Sequence, residues 1–377
     1  MSENSNYLDF VLPTKVKFGV GMRQEVGAEI PQKGKHRVGV VTSEEIVDLG
    51  LHKDIVKTLK ERNCHIEIFS DVKSNPHVNT IESGFQFFNG FKPDFLVGLG
   101  GGSVIDSAKA IALCIANGQP DITELDSTQG GITDSVPLFA LPTTSGTGSE
   151  VDYWAVISNP QTRDKISIGC PEMSPRTAIV DPELTLTLPP RLTLFTGIDA
   201  LSHALEAFFS SENNRVSDML TLTAIDLVFN SLTAAVKNGD DLHARVDMSL
   251  ASTMAGAAMQ HVGLGLVHAL SHQVSGFYDT NHGLANAMLM PVVIDFNLKV
   301  AEDKYTHLSK CVGEDLRTKL QALYLEHSVK EKEVTIYEKD LNELAQRAID
   351  NVNAETNPRQ ATLEEAKALY RQSFNVA

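Results

Sequence analysis

A chain of 377 residues, with 48 acidic against 32 basic side chains and a formal charge of −16, is long enough for two domains with separate cores, and its acidity argues against nucleic acid or an anionic membrane as a partner. No uninterrupted apolar run approaches the roughly 20 residues that cross a bilayer, and residues 1–6 lack the basic and apolar regions of a signal peptide. The four cysteines, Cys64, Cys114, Cys170 and Cys311, are widely spaced with no CxxC, which fits reduced thiols in a cytoplasmic protein better than a disulfide framework.

Residues 15–18 alternate like a strand and end in Gly19-Val20-Gly21. Residues 37–42 read as a buried strand, 51–62 as a helix and 65–69 as a second strand. A helix over 78–88 then leads to a third strand at 94–98. Strands separated by helices of this length predict right-handed crossovers and a parallel sheet. The third strand runs into Gly98-Leu99-Gly100-Gly101-Gly102-Ser103-Val104-Ile105-Asp106 and a helix through Asn117. Glycines at such a turn let the backbone approach a pyrophosphate, while free N–H groups and the helix dipole stabilise its charge. The glycines are contiguous, unlike GxGxxG, and a plain tight turn would also favour glycine. A further buried strand, 136–141, ends in Pro142-Thr143-Thr144-Ser145-Gly146-Thr147-Gly148-Ser149-Glu150. Hydroxyls and N–H groups crowded beside the first turn suit the phosphates and riboses of a dinucleotide.

After Asp181-Pro182-Glu183 the glycine-punctuated strands stop, and Pro189-Pro190 marks a boundary. The expected architecture is an α/β dinucleotide-binding domain with a parallel sheet over residues 1–188, followed by an all-helical metal-binding domain over 189–377. Helices are expected over 193–211, 216–237, 241–260, 264–275, 283–301, 303–326, 338–351 and 362–373, the last opened by the capping box Thr362-Leu363-Glu364-Glu365. The charge run Lys330-Glu331-Lys332-Glu333 reads as solvated surface.

Two helical spacings in the second half point to a metal. Asp199 and His203 are i and i+4, and so are His268 and His272, so each pair projects from one helix face; His282 follows beside a glycine. A carboxylate with imidazoles suits a divalent transition metal such as Fe(II) or Zn(II), and not the oxygen cages of Ca(II) or Mg(II). There is one histidine too many for a four-ligand site, and spacing alone leaves open which one stands aside.

Three blocks of this chain resemble the iron-containing, or group III, alcohol dehydrogenases, and the resemblance spans nearly its whole length. They are GGGSVID at 100–106, LPTTSGTGSEV at 141–151, and the pair formed by IVDPELTLTLPPRLTLFTGIDALSHALEAF at 179–208 with GLGLVHALSHQVSGFYDTNHG at 263–283. The resemblance implies that Asp199, His203, His268 and His282 hold the metal, usually Fe(II), with Zn(II) also compatible. It implies that Gly100, Gly101, Gly102, Ser103 and Asp106, with Thr143, Thr144, Ser145 and Thr147, form the nicotinamide cofactor site. His272 matches a non-ligand histidine near the reaction centre and is assigned to proton relay. The implied reaction passes hydride between the cofactor and a small alcohol or aldehyde whose oxygen the metal polarises. Homodimers formed through N-terminal strands are common in the family, which makes residues 15–18 the expected contact of a homodimer or higher homo-oligomer. The related glycerol dehydrogenase and dehydroquinate synthase branches use one acidic ligand and two histidines, so the Asp199–His203 pair argues against both. A non-enzymatic metal-binding module is opposed by the intact glycine loop.

Two details bear on cofactor and substrate. Many relatives carry an Asp at the end of the 38–42 strand that binds the adenosine ribose, whereas this chain has Ser43 followed by Glu44 and Glu45. Ser43 removes a repulsion against NADP(H), yet no cation is near to pair with a 2′-phosphate, so NAD(H) is favoured. The family usually reads Asn-Ala-Gly-Leu-Gly where this chain has His261-Val262-Gly263-Leu264-Gly265. It has Asp152-Tyr153-Trp154 where smaller groups are frequent, and Arg215 where Pro is common. Bulky Tyr153, Trp154 and Val262 would shorten the pocket, while His261 would add a donor that becomes cationic near neutral pH. The expected substrate is a short polar aldehyde of two to four carbons, including acidic forms bearing sulfonate, phosphonate or carboxylate; Asp152 counts against the acidic forms if it faces the pocket. A simple short alcohol or diol is the alternative.

Overall fold

The computed structural model describes residues 10–125, 134–330 and 332–377; the expectations for residues 1–6 and for Glu331 fall outside them. The chain begins with β1 (Lys15–Phe18), α1 (Val26–Glu29), β2 (Arg37–Val41), α2 (Glu44–Asp48), α3 (His52–Glu61) and β3 (His65–Phe69). It continues through α4 (Val78–Asn89), β4 (Phe95–Gly100), α5 (Gly102–Asn117) and β5 (Leu138–Pro142). An antiparallel ribbon of β6 (Trp154–Asn159) and β7 (Asp164–Gly169) precedes β8 (Thr177–Val180). The second half comprises α6 (Pro190–Phe209), α7 (Arg215–Lys237), α8 (Leu242–Val262), α9 (Leu266–Tyr278), α10 (His282–Cys311) and α11 (Leu316–Glu326). It ends with β9 (Thr335–Ile336), α12 (Leu341–Ile349), α13 (Val352–Glu355), α14 (Leu363–Ser373) and β10 (Asn375–Val376).

Six strands form one parallel sheet in the order β1-β8-β5-β4-β2-β3. Alternation along the strands feeds two cores. Val38, Val40, Phe95, Val97 and Leu99 pack with Ile55 and Leu59 of α3 on one face, while Val41 and Leu96 meet Phe85 and Phe88 of α4 and Ile111 of α5 on the other. The chain passes from β2 outward to β3, then returns to place β4 on the opposite side of β2. That reversal sets the C-terminal ends of β2 and β4 side by side, which is where open α/β sheets bind ligands.

The helical half has its own core, including Leu201, Ile225, Val228, Leu270, Val293 and Tyr370. Pro190 opens α6 at a position that tolerates a missing N–H, and a capping box between Asn214 and Ser217 opens α7. The expected break between 301 and 303 is instead a kink inside α10, where Ala301 leaves helical geometry (φ −123°, ψ 26°). The half is not wholly helical either, because β9 and β10 pair in parallel. The β6–β7 ribbon and β8 were not expected from the sequence. The ribbon turns through Pro160-Gln161-Thr162-Arg163, where Arg163 supplies the left-handed residue (φ 56°) that Asn-Gly or Gly would normally announce. Helices α7 and α10 are long and apolar enough by average composition to cross a membrane, although neither is an uninterrupted apolar run. They pack instead against α6, and α10 is mostly buried.

Strand β1 is pinned at the sheet edge through Glu29, whose carboxylate accepts from Lys15 at 2.9 Å, Lys17 at 2.8 Å and the Thr177 hydroxyl at 3.0 Å. Partial burial would raise the Glu29 pKa, but the bonds from Lys17, Lys15 and Thr177 outweigh it and hold it at about 2, against an ordinary 4.5. The stabilisation is therefore present above pH 4.5 and lost as pH falls toward about 2. Thermal melts should show Glu29→Gln less stable than the unsubstituted protein at pH 6, with the gap closing between pH 4.5 and 2. A gap independent of pH would contradict this role.

Candidate active site

The ends of β4 and β5 build one wall of a cleft of about 300 Å³ between the two halves. The N–H of Thr143 donates to the Gly100 carbonyl at 3.0 Å, joining the two loops. A Cβ on Gly102 would lie 2.5 Å from the Thr147 side chain, so only glycine lets the second loop close onto the first turn. Gly148 (φ +64°) touches Gly256 of α8 in the same way, bringing the loop against the helical half. Of the expected cofactor residues, Gly102, Ser103, Asp106 and Thr147 line the cleft, whereas Gly100, Gly101, Thr143, Thr144 and Ser145 do not. The Ser145 hydroxyl is bonded to that of Ser249 at 3.0 Å, so its role is to hold the loop on α8. Ser43 lies at the end of β2, off the cleft, and caps α2 by accepting from the Ile46 N–H at 3.4 Å.

Across the cleft, α6, α9 and α10 bring together the metal candidates. One ligand atom from each of Asp199, His268 and His282 lies within 4.8 Å of the others. Asp199 Oδ1 is 3.7 Å from His268 Nε2 and 3.6 Å from His282 Nε2. Ligands about 2.1 Å from a tetrahedral ion would stand roughly 3.4 Å apart, so the donor set fits a transition metal. His203 stands just outside this triad. Its Nδ1 is 3.1 Å from the Gly146 carbonyl and its ring stacks on that of His268, centroids 4.4 Å apart.

The charges fit a cation as well. Burial alone would raise the Asp199 carboxyl, but the adjacent imidazoles of His203, His282 and His268 hold it well below the usual carboxylate range. Burial alone would lower His268, yet the carboxylates of Glu206 and Asp199 bring it up to about 9. An ionised carboxylate shut away from water calls for a positive charge beside it.

Two residues around the triad went unnoticed in the sequence. Glu206 accepts from His268 Nδ1 and, at 2.6 Å, from the Val267 N–H, so it orients the ring with Nε2 facing the triad. Asn286 donates to Asp199 Oδ1 at 2.7 Å and lies 3.3 Å from Nε2 of both His268 and His282. Both were within reach of the spacing argument: Glu206 follows His203 by three residues, and Asn286 follows His282 by four.

His272 lines the same cleft with its Nδ1 buried and unpartnered, its ring centroid 5.2 Å from that of His282. Burial, then the neighbouring His282 and Lys165, pushes its pKa well below the ordinary 6.5, which keeps it neutral. Lys165 of β7, also unforeseen, faces the cleft; burial lowers its pKa to about 8, and its Nζ reaches Asn75 Oδ1 at 3.3 Å.

The substrate-pocket expectations divide. Tyr153 and Trp154 line the cleft with ring centroids 5.2 Å apart. Asp152 lines it too, but its Oδ1 accepts from Lys109 Nζ and from the Trp154 N–H, each at 2.7 Å, so its charge is already matched. His261 and Val262 must be corrected. The α8 helix packs His261 against Phe10, ring centroids 4.1 Å apart, and Val262 into a small core with Ala207 and Ala258. Neither lines the cleft.

Residues 13–182 match the family described as iron-containing alcohol dehydrogenase, and residues 193–374 match the C-terminal part of the Fe-containing alcohol dehydrogenase family. The NAD-dependent methanol dehydrogenase of Bacillus methanolicus is 34% identical, with 97% of this chain and 100% of that protein covered. The lactaldehyde reductase of Escherichia coli K12 is 30% identical over 95% of this chain and 97% of its own length. A crystal structure of 1,3-propanediol oxidoreductase superposes with a TM-score of 0.90 at 31% identity, covering 98% of this chain and 100% of that one.

The His268–Glu206 contact makes a graded prediction. Asp199→Ala should abolish retention of iron, and Glu206→Gln should weaken it by about 10- to 100-fold. Both variants should still bind NADH, read through quenching of Trp154, the one tryptophan in the chain. Wild-type metal content in both would contradict the assignment.

Proposed function

The chain belongs to the iron-containing alcohol dehydrogenase family, and from that premise we propose that it passes hydride between NAD(H), in preference to NADP(H), and a short polar aldehyde or its alcohol. The observation that carries this reading is the Asp199–His268–His282 triad opening onto the same cleft as Ser103 and Thr147. Asp199, His203, His268 and His282 would hold a divalent iron, which would supply Lewis acidity toward a substrate oxygen, and Gly102 and Ser103 would hold a nicotinamide cofactor able to supply or accept hydride. The protein's own part is to hold these groups in one cleft. Glu206 holds the His268 ring through Nδ1 with Nε2 turned toward Asp199, and Asn286 donates to Asp199. His272, which lines the cleft and is held neutral, is the residue we assign to proton exchange with the substrate oxygen.

Tyr153 and Trp154 narrow a cleft of about 300 Å³ that a nicotinamide must share, which supports a substrate of two to four carbons. Acidic substrates lose the support of His261, and Asp152 no longer opposes them because Lys109 matches its charge. Among the described residues, the lysine or arginine that lines the cleft is Lys165. Simple short alcohols and diols are the second reading, favoured by the methanol and 1,3-propanediol enzymes among the relatives. For the cofactor, Glu44 and Glu45 in the first turn of α2, next to Ser43, support NAD(H) by opposing a 2′-phosphate. The position of β1 at the sheet edge, with no further strand beside it among the described residues, supports a homodimer paired through that strand.

Two kinetic comparisons test the reading. Among propanal, butanal, glycolaldehyde, succinic semialdehyde and sulfoacetaldehyde, kcat/KM should be highest for one of the last three; a preference for propanal or butanal would return the assignment to simple alcohols. With the best substrate, NADH should exceed NADPH, and a tenfold advantage for NADPH would reverse the cofactor assignment.

A further inference from the structure

The β6–β7 ribbon packs Ala155, Ile157 and Ile168 into the α/β core against α5, its β7 strand reaches α9 of the helical half, and it forms a wall of the cleft. Its pairing register puts Trp154, Val156, Lys165 and Ser167 on the face toward the cleft. Asp164, one residue before Lys165, points to the other face, where Arg347 of α12 takes hold of it. Arg347 Nη1 donates to the Asp164 carboxylate and, at 3.2 Å, to the Thr162 carbonyl; Nη2 donates to Glu343 at 2.6 Å. The same guanidinium stacks 5.0 Å from the centroid of the Phe277 ring on α9, and Arg163 approaches that ring at 5.9 Å. A Cβ on Gly276 would lie 2.9 Å from the Arg163 carbonyl oxygen, so glycine there is what lets the ribbon tip rest on α9.

We propose that Arg347 is a positioning residue: by fixing Asp164 and the Thr162 carbonyl behind the ribbon, it holds Lys165 and Ser167 against the cleft and clasps the bound nicotinamide cofactor. The inference rests on the reading of this cleft as the cofactor site. Arg347 and Asp164 are 28% and 44% exposed, and a pair so open to solvent adds little to overall stability. Its effect falls instead on where the ribbon sits. A ribbon freed at its tip lets the cofactor leave sooner without altering the metal ligands, none of which it carries.

The test is stopped-flow release of NADH from the iron-loaded enzyme, with Trp154 energy transfer as the signal, for wild type, Arg347→Ala, Arg347→Lys, Asp164→Asn and the Arg347→Ala/Asp164→Asn double variant. Arg347→Ala and Asp164→Asn should each raise the off-rate on the order of five- to tenfold. The double variant should be no faster than the worse single one, because both break one contact. Arg347→Lys, which keeps the charge but not the fork, should fall between wild type and Arg347→Ala. KM for NADH should rise while kcat at saturation holds or increases, and thermal midpoints should move little. Off-rates at the wild-type value in both single variants would overturn the clasp. So would strictly multiplicative effects, or a faster off-rate accompanied by a large loss of thermal stability. If wild type fails to bind NADH at all, the cleft reading itself falls, which the variant comparison separates from failure of the clasp.

Discussion

The site depends on keeping one buried carboxylate charged. Asp199 is 4% exposed inside α6, and an ion removed from water to that extent costs several kcal/mol unless opposite charge and hydrogen bonds surround it. The helical half supplies that surrounding from three directions. His203 comes from one turn further along α6, His268 from α9, and His282 with Asn286 from the first turns of α10. Each of those helices is fixed by an apolar face in a single continuous core, so the ligands are positioned by packing and not by loops. Glu206 extends the arrangement outward, anchoring His268 while its other oxygen satisfies an N–H at the start of α9.

The α/β half answers a different constraint, close approach. Parallel order with a reversal between β2 and β4 opens a crevice at the strand ends, and glycines at 102 and 148 let two loops and α8 come nearer than any side chain would permit. Behind the loops a buried network holds the base of the ribbon. Lys109 Nζ donates to Ser149, Asp152 and the Trp154 carbonyl, and Asp106 accepts from Ser149 and from the Val156 N–H at 3.0 Å. The ribbon is thus held at its base by α5 and at its tip by α9 and α12.

What could be read in the sequence follows from which patterns are local. Strands β2, β4 and β5 were legible because buried parallel strands are continuous apolar runs, the edge strands β1 and β3 because they alternate, and the Asp199–His203 and His268–His272 pairs because helical spacing fixes direction. Strand β8 was missed because four residues ahead of a proline give little periodicity, and the ribbon because its turn carries no glycine signal. Lys165 was invisible for the same reason: without the ribbon there is no face for it to occupy. His261 and Val262 were misplaced because their departure from the family's usual Asn-Ala was read as a change in the pocket, whereas on the last turn of α8 they pack against Phe10 and against Ala207 and Ala258. Glu206 and Asn286 lay on helices already identified and needed only the same spacing rule extended by one turn.

The central claim is that residues from three helices converge on one iron ion beside the cofactor turn. Anomalous diffraction at the iron edge from crystals of the iron-loaded protein with NAD(H) tests it directly. The account predicts a single strong peak about 2.0–2.2 Å from Asp199, His203, His268 and His282, with density for the dinucleotide running along Gly102 and Ser103. A peak coordinated by other residues, or a dinucleotide bound away from the β4–α5 turn, would contradict it.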